Sequence, residues 1–305
     1  MEEKLLVEQH IARNKRLTVV ICTFMALLFA GIIFALGYIF FAGDMYIALA
    51  FALPVAIGYI LITYSVSVST VLSAAGARLA NPNVREEKLF IYKVEEMSIA
   101  SGLPMPKTYV QDSENINAFA TGKKPQEGVI CVTTGALKKL KPDELEGVMA
   151  HEMSHIKNYD IMIATVTIAV VGAIALIGEF VLRMVFYSGA GRSSGGKKGG
   201  GALPLIIIAL IFAVLAPLFA KLTYLAISRR REYLADSNGA YFTRNPEGLA
   251  KALEKIKTDV TAGPPKGSKI VASLYIANPF KSQERSSIWS THPPINERIR
   301  RLRSM

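Results

Sequence analysis

The chemistry of this chain concentrates in His151-Glu152-Met153-Ser154-His155, an H-E-x-x-H pattern. On a helix turning about 100° per residue, positions 151 and 155 lie about 40° apart on one face and one turn apart along it. That is the spacing at which two imidazoles can bind one metal ion. Glu152 sits to the side of that face, where its carboxylate can reach a metal-bound water without ligating the metal, the position of a general base. In a chain of 305 residues with 4 histidines, chance would supply such a match about 0.003 times. His10, in the amino-terminal tail, reads as a solvated side chain.

A catalytic zinc site takes three protein ligands and keeps one position open, so two histidines need a third donor. The best placed is Glu232 in Arg229-Arg230-Arg231-Glu232-Tyr233-Leu234-Ala235-Asp236. Two apolar runs separate it from the histidines and would return the chain to the same side of a membrane. Asp236, one turn later, shares the face of Glu232 and can accept the free ring N–H of a ligand histidine. The alternative for Glu232 is an interfacial charge paired with the adjacent arginines.

These residues need elements to hold them. Pro142 opens a helix with Asp143 and Glu144 in its first turn, where the dipole favours anions, and Leu145, Val148 and Met149 carry it toward the histidines. Arg85 to Ala100 has helical apolar spacing and a stop at Gly102. Lys107 to Val110, Asn117 to Ala120 and Val129 to Thr133 read as short strands. Asn245-Pro246-Glu247 starts a helix through Lys257, and Pro293-Pro294 opens a basic one near the end.

Composition places this machinery at a membrane. Hydrophobic residues make up 51% and charged residues 19%, which excludes a simple soluble globule. Residues 17–41, 45–77, 161–178 and 199–220 carry no Asp, Glu, Lys or Arg, and roughly 20 apolar residues cross a bilayer. The expected spans are Leu17–Phe41, Met45 to about Val71 with Pro54 inside, Ile161–Tyr187 and Ala202–Ser228. They form two hairpins joined at Ala42-Gly43-Asp44 and at the Gly-, Ser- and Lys-rich stretch 188–201. Lysine and arginine number four before the first span, eleven in 73–160, three in 188–202 and fifteen in 229–305. The positive-inside rule therefore puts both termini and the middle segment in the cytoplasm. The net charge of +11 then reports orientation rather than nucleic-acid binding, since no basic stretch resembles a reader module. Glu179 and Arg183 form an i,i+4 pair near the outer end of the third span, and Lys221 can snorkel near the inner end of the fourth. Cys22 and Cys131 lie in apolar runs and read as buried hydrophobes.

The expected organisation is a cytoplasmic tail (1–16), a first transmembrane hairpin (17–72), a first cytoplasmic segment carrying the His-Glu helix (73–160), a second hairpin (161–228) and a second cytoplasmic segment with the third ligand (229–305). The fold class is an α+β membrane protein: four transmembrane helices in two hairpins and a mainly helical, zincin-like cytoplasmic domain with a small β-sheet.

The pairing of His151-Glu152-Met153-Ser154-His155 with Glu232-x-x-x-Asp236 between two membrane hairpins resembles the HtpX family of membrane-integrated zinc metalloproteases. Asn117-Ala118-Phe119, the run Ser228 to Asp236, and Ser290-Thr291-His292-Pro293-Pro294 with Arg298 extend the likeness over most of the chain. The eukaryotic CAAX prenyl proteases share the two-part signature but have more spans.

The resemblance implies one zinc per chain on His151, His155 and Glu232, with Glu152 as base and proton shuttle. It implies an edge strand at Asn117, Ala118 and Phe119 that pairs with a substrate main chain and so tolerates varied side chains. His292 is either a donor to the oxyanion or a residue that leads into the last helix, and Arg298 is structural. The implied substrates are unfolded membrane proteins, cleaved in quality control and stress response at a bacterial or archaeal inner membrane. Self-association stays open. Two other classes compete: a scaffold with a structural metal, which would have four protein ligands and no need of Glu152, and a channel or transporter, which would carry more intramembrane charge and paired broken helices.

Overall fold

The computed structural model describes residues 43–169, 229–259, 271–277 and 293–305, with scattered positions between 9 and 41 and residues 179 and 183. The chain divides into two compact units. One comprises Met1–Leu17, Val68–Thr165 and Tyr224–Met305, and the other Thr18–Ser67 and Val166–Thr223.

The second unit contains most of α1 (Met45–Ala75), a 31-residue helix with Pro54 inside it. Its mean hydropathy of 2.3 and its 31 residues make it long and apolar enough to cross a membrane. Asp44 starts it by accepting the N–H groups of Tyr46 and Ile47 at 2.9 and 3.0 Å. Gly76, at φ +63°, stops it one turn beyond the expected end. Ile57, Leu61 and Ile62 are exposed while Ala48, Ala52 and Ala56 are buried. Small residues at four-residue spacing let helices approach closely in a bilayer. Phe29 stacks on Tyr59 at 4.0 Å between ring centroids.

The described positions between 9 and 38 are helical. At the other end of the expected spans, Arg183 donates to Glu179 at 2.5 Å, the i,i+4 pair that the spacing suggests. The expected fourth span and the stretch 188–201 lie outside the described residues.

The first unit is mostly helical with a small mixed sheet. Its strands are β1 (Ala77–Leu79), β2 (Lys107–Gln111), β3 (Ala118–Thr121) and β4 (Val129–Thr133), in the order β1-β2-β4-β3. β2 and β4 are parallel and the outer pairs antiparallel. α2 (Arg85–Ser101) ends at Gly102 with φ +71°, as the sequence stop suggests. The short α3 (Thr134–Lys139) is capped by Thr133, which accepts the Ala136 N–H. Neither α3 nor β1 is foreseen, because each is too short to show a period.

α4 (Pro142–Lys157) carries the His-Glu pattern and runs through the middle of the unit, and α5 (Asp160–Ala169) follows it. It packs on α2, α6 (Arg229–Thr243), α7 (Pro246–Thr258) and the sheet. Its Leu145, Val148, Met149, Met153 and Ile156 share one core with Phe90 and Val94 of α2, Ile130 and Val132 of β4, and Leu249 and Leu253 of α7. The core also takes Ile299 and Leu302 from the last helix, Ile295–Arg303. Glu144 folds back to accept the Lys141 N–H at 2.7 Å and pairs with Lys255 at 2.6 Å, satisfying the start of α4 while tying it to α7.

Two glycines allow this closeness. A Cβ at Gly147 would lie 2.6 Å from the Leu249 nitrogen, and one at Gly239 would lie 3.2 Å from the His151 nitrogen. Gly147→Ala must push α7 away from α4, and we expect it to cost about 1–3 kcal/mol in chemical denaturation.

Glu87 fixes β1 to α2. It is 4% exposed and accepts two bonds from Arg78, at 2.6 and 2.9 Å, and one from the Asn81 N–H at 2.6 Å. The Arg78 hydrogen bonds, against the opposing effect of burial, hold its pKa below the usual carboxylate range. A depressed folded pKa stabilises above the unfolded value, and this stabilisation is lost as pH falls through the folded value. Glu87→Gln should therefore cost about 1–2 kcal/mol at neutral pH. The gap to wild type should close in acid, as denaturation series at several pH values would show.

Candidate active site

α4 places His151 and Glu152 fully inside the unit, 0% and 1% exposed, with His155 one turn on and partly buried. α6 crosses the same helix at Gly239 and brings Glu232 to the two imidazoles. The Nε2 atoms of His151 and His155 are 3.2 Å apart. Glu232 Oε2 lies 3.8 Å from His151 Nε2, and Oε1 lies 3.6 Å from His155 Nε2. One donor atom from each of the three residues falls within 4.8 Å of the others. Two imidazole nitrogens and one carboxylate facing a common space fit a divalent zinc-type ion.

The remaining ring nitrogens explain why both Nε2 atoms face inward. His151 Nδ1 is 3.0 Å from Asp236 Oδ1, and His155 Nδ1 is 3.1 Å from Asp160 Oδ2. A carboxylate on Nδ1 fixes the proton there and leaves the Nε2 lone pair for a ligand. Asp236 is itself gripped by Arg298, Nη2 to Oδ1 at 2.7 Å and Nε to Oδ2 at 2.9 Å, a planar two-bond pairing. Arg298 is 1% exposed and also reaches Glu232 Oε2 at 3.5 Å and the Ile276 carbonyl at 3.1 Å. Its structural part in the resemblance thus becomes specific: its charge lies against the buried carboxylates of Asp236 and Glu232.

The electrostatics separate the three titrating groups. Burial, helped by the Arg298 charge, pulls His151 down to about 4 against the opposing Asp236. Burial also acts downward on His155, but the Asp160 hydrogen bond and the Glu232 charge outweigh it and raise His155 to about 9. Burial pushes the Glu152 carboxyl up to about 7, with Glu232 adding to the rise and His155 opposing it. The Ala120 N–H of β3 donates to Glu152, yet its Oε1 is buried with no hydrogen-bond partner among the described residues. A buried carboxylate oxygen left without a partner is costly, and it points to a group that arrives from outside the chain.

β3 is at the edge of the sheet, as the resemblance implies, but its outward groups are not bare. Asn117 Oδ1 accepts the Ala118 N–H at 3.1 Å, and Asn117 Nδ2 donates to the Ala277 carbonyl at 2.8 Å. Ile276 N–H donates to the Ala118 carbonyl at 3.0 Å, and Phe119 meets Tyr275 edge-on at 5.5 Å between centroids. A buried strand edge must satisfy its polar groups, and residues 275–277 do this at Asn117–Phe119. Ala120, one position on, faces Glu152.

Sequence reasoning missed Asp160, which follows His155 by five residues and matches no helical spacing. It also missed residues 275–277, which come from a distant part of the chain. His292 lies outside the described residues.

The sequence profile of peptidase family M48 matches residues 85–305. A protease HtpX homologue of Dictyoglomus thermophilum is 42% identical over 295 residues, spanning 97% of this chain and 93% of that protein. One from Streptococcus agalactiae serotype III is 40% identical over 297 residues, spanning 97% and 99%. The crystal structure of S. mikatae Ste24p aligns with a TM-score of 0.47 at 19% identity, over 94% of this chain and 63% of that one. With the group of His151, His155 and Glu232 that could hold a metal ion inside the matched region, this chain is a metalloprotease that belongs to peptidase family M48, among the HtpX proteases.

Proposed function

We propose that this protease is a zinc endopeptidase embedded in a cytoplasmic membrane, which cuts misfolded or damaged membrane proteins at the cytoplasmic face. One observation carries the catalytic part: a buried Glu152 oxygen, without a hydrogen-bond partner among the described residues, beside the cluster of His151, His155 and Glu232. A purely structural metal site has no use for that carboxylate.

One zinc per chain, held by these three residues, would supply a Lewis acid and lower the pKa of water in the site. Glu152 takes the proton of the attacking water on its carboxylate and passes it to the leaving amine. Asp236 holds the Nδ1 proton of His151, and Arg298 keeps Asp236 ionised in a buried place. The substrate main chain runs along β3 at Ala120, beyond the part of the edge that residues 275–277 already use. His292 enters this reading as a donor to the developing oxyanion.

α1, the charge-free runs on either side of the protease segments and the distribution of lysine and arginine support four crossings with both termini inside. The domain limits are those of the charge pattern: 1–16, 17–72, 73–160, 161–228 and 229–305. Recognition through main chain at a membrane surface suits unfolded membrane proteins of varied sequence.

The test is fragment mapping after incubating detergent-purified full chain with casein, and with a membrane protein in folded and unfolded form. We expect internal cuts in casein and in the unfolded form only. Trimming from chain ends, or equal cutting of the folded form, would contradict the reading.

A further inference from the structure

We infer that Asp160 is a positioning residue for the metal site, orienting His155 as Asp236 orients His151, with Arg231 as its anchor. The inference rests on the metalloprotease reading above and assigns a residue that reading does not use.

The geometry is a second version of the His151 arrangement. His155 Nδ1 meets Asp160 Oδ2 at 3.1 Å, and Asp160 Oδ1 lies 3.5 Å from Arg231 Nε. On the other side His151 Nδ1 meets Asp236, and Asp236 meets Arg298. Each ligand histidine is thus backed by a carboxylate, and each carboxylate by a guanidinium. The Asp160 and Arg231 side chains are 9% and 13% exposed, so the pair is shielded from solvent and salt.

The backbone is shaped to make this contact. Had α4 continued regularly, residue 160 would lie about 140° around the helix from His155, facing away. Instead α4 ends at Lys157, and Tyr159 adopts φ +59°. A tyrosine in that left-handed region is uncommon and costs of order 1 kcal/mol or more. The reversal turns the Asp160 side chain back onto the ring it follows. The helical stretch Asp160–Ala169 starts there.

Asp160 and Arg231 also bracket, in sequence, the stretch 161–228 with its two charge-free runs. Their contact joins the two chain segments that flank that stretch. Without Asp160 the imidazole is free to flip or to place its proton on Nε2, and either change removes the lone pair from the metal.

The test measures zinc affinity by chelator competition on detergent-purified full chain, for wild type, Asp160→Ala and Asp160→Asn. The visible absorption of the Co²⁺-loaded proteins and the unfolding of the metal-free proteins are read on the same samples. Alanine should weaken zinc binding about 100-fold and asparagine, which keeps an acceptor without the charge, about tenfold. The cobalt bands should shift, and zinc affinity should fall further than the loss of metal-free stability that comes with breaking the Asp160–Arg231 pair. Wild-type affinity and cobalt spectrum in either variant would overturn the inference, as would losses matched by equal losses of metal-free stability. If Asp160→Ala cannot be purified folded, Asp160→Asn decides by the same criteria. A wild type that binds no zinc would overturn both this inference and the metalloprotease site, whereas zinc-loaded wild type with unaffected variants would overturn this inference alone.

Discussion

Glu152→Gln should bind zinc as wild type does and cleave peptide about 1,000-fold more slowly. Glutamine fills the same buried space, so the packing of α4 is kept. Glu152 is 1% exposed and its Oε1 has no partner among the described residues, so the substitution breaks no hydrogen bond of that oxygen. What disappears is the ability to accept and return a proton, an effect of general acid–base catalysis worth about 10²–10⁴-fold. Parallel assays of casein cleavage and bound metal check this. Because the defect lies in the chemical step, kcat should fall much further than KM changes. Retained cleavage in the variant would remove Glu152 from the proton-transfer role.

Glu232→Gln should show the opposite pattern in its metal content. The carboxylate faces both Nε2 atoms at 3.8 and 3.6 Å, and a neutral amide is a poor third ligand for a hard or borderline cation. We expect zinc affinity to fall by about 1,000-fold or more, beyond the roughly 10–100-fold of a residue acting through a ligand. Cleavage should fall with it and recover in part when zinc is raised. Metal analysis after desalting checks the first effect, and zinc titration of the activity checks the second. If the variant retained zinc at wild-type affinity, the third ligand would have to be sought elsewhere.

The parts of the site that sequence showed are those set by local spacing. His151 and His155 are one helical turn apart, and so are Glu232 and Asp236, so their shared faces follow from the spacing alone. Pro142, Gly102 and Pro246 mark helix limits because each acts on its own backbone, and α2, α4 and α7 begin or end where these residues stand. Contacts made across chain breaks in the pattern were not legible. Asp160 reaches His155 only because Tyr159 reverses the backbone, and a helical wheel places it on the wrong side. Residues 275–277 cover the edge of β3 from a segment with no periodic signal. Arg298 is marked as structural by the resemblance, but the helical pattern does not show its place: it alone of the four arginines in Ile295–Arg303 is fully buried. Its partner carboxylate lies 62 residues away in sequence.

The most direct test of the central claim is stepwise addition of zinc to metal-stripped, detergent-purified full chain, with casein cleavage read at each step. The structure predicts no cleavage without metal and activity that rises to a plateau at one zinc per chain. Full cleavage by the metal-free protein, or one tightly bound zinc with no cleavage, would contradict the assignment of His151, His155 and Glu232 as a catalytic zinc site.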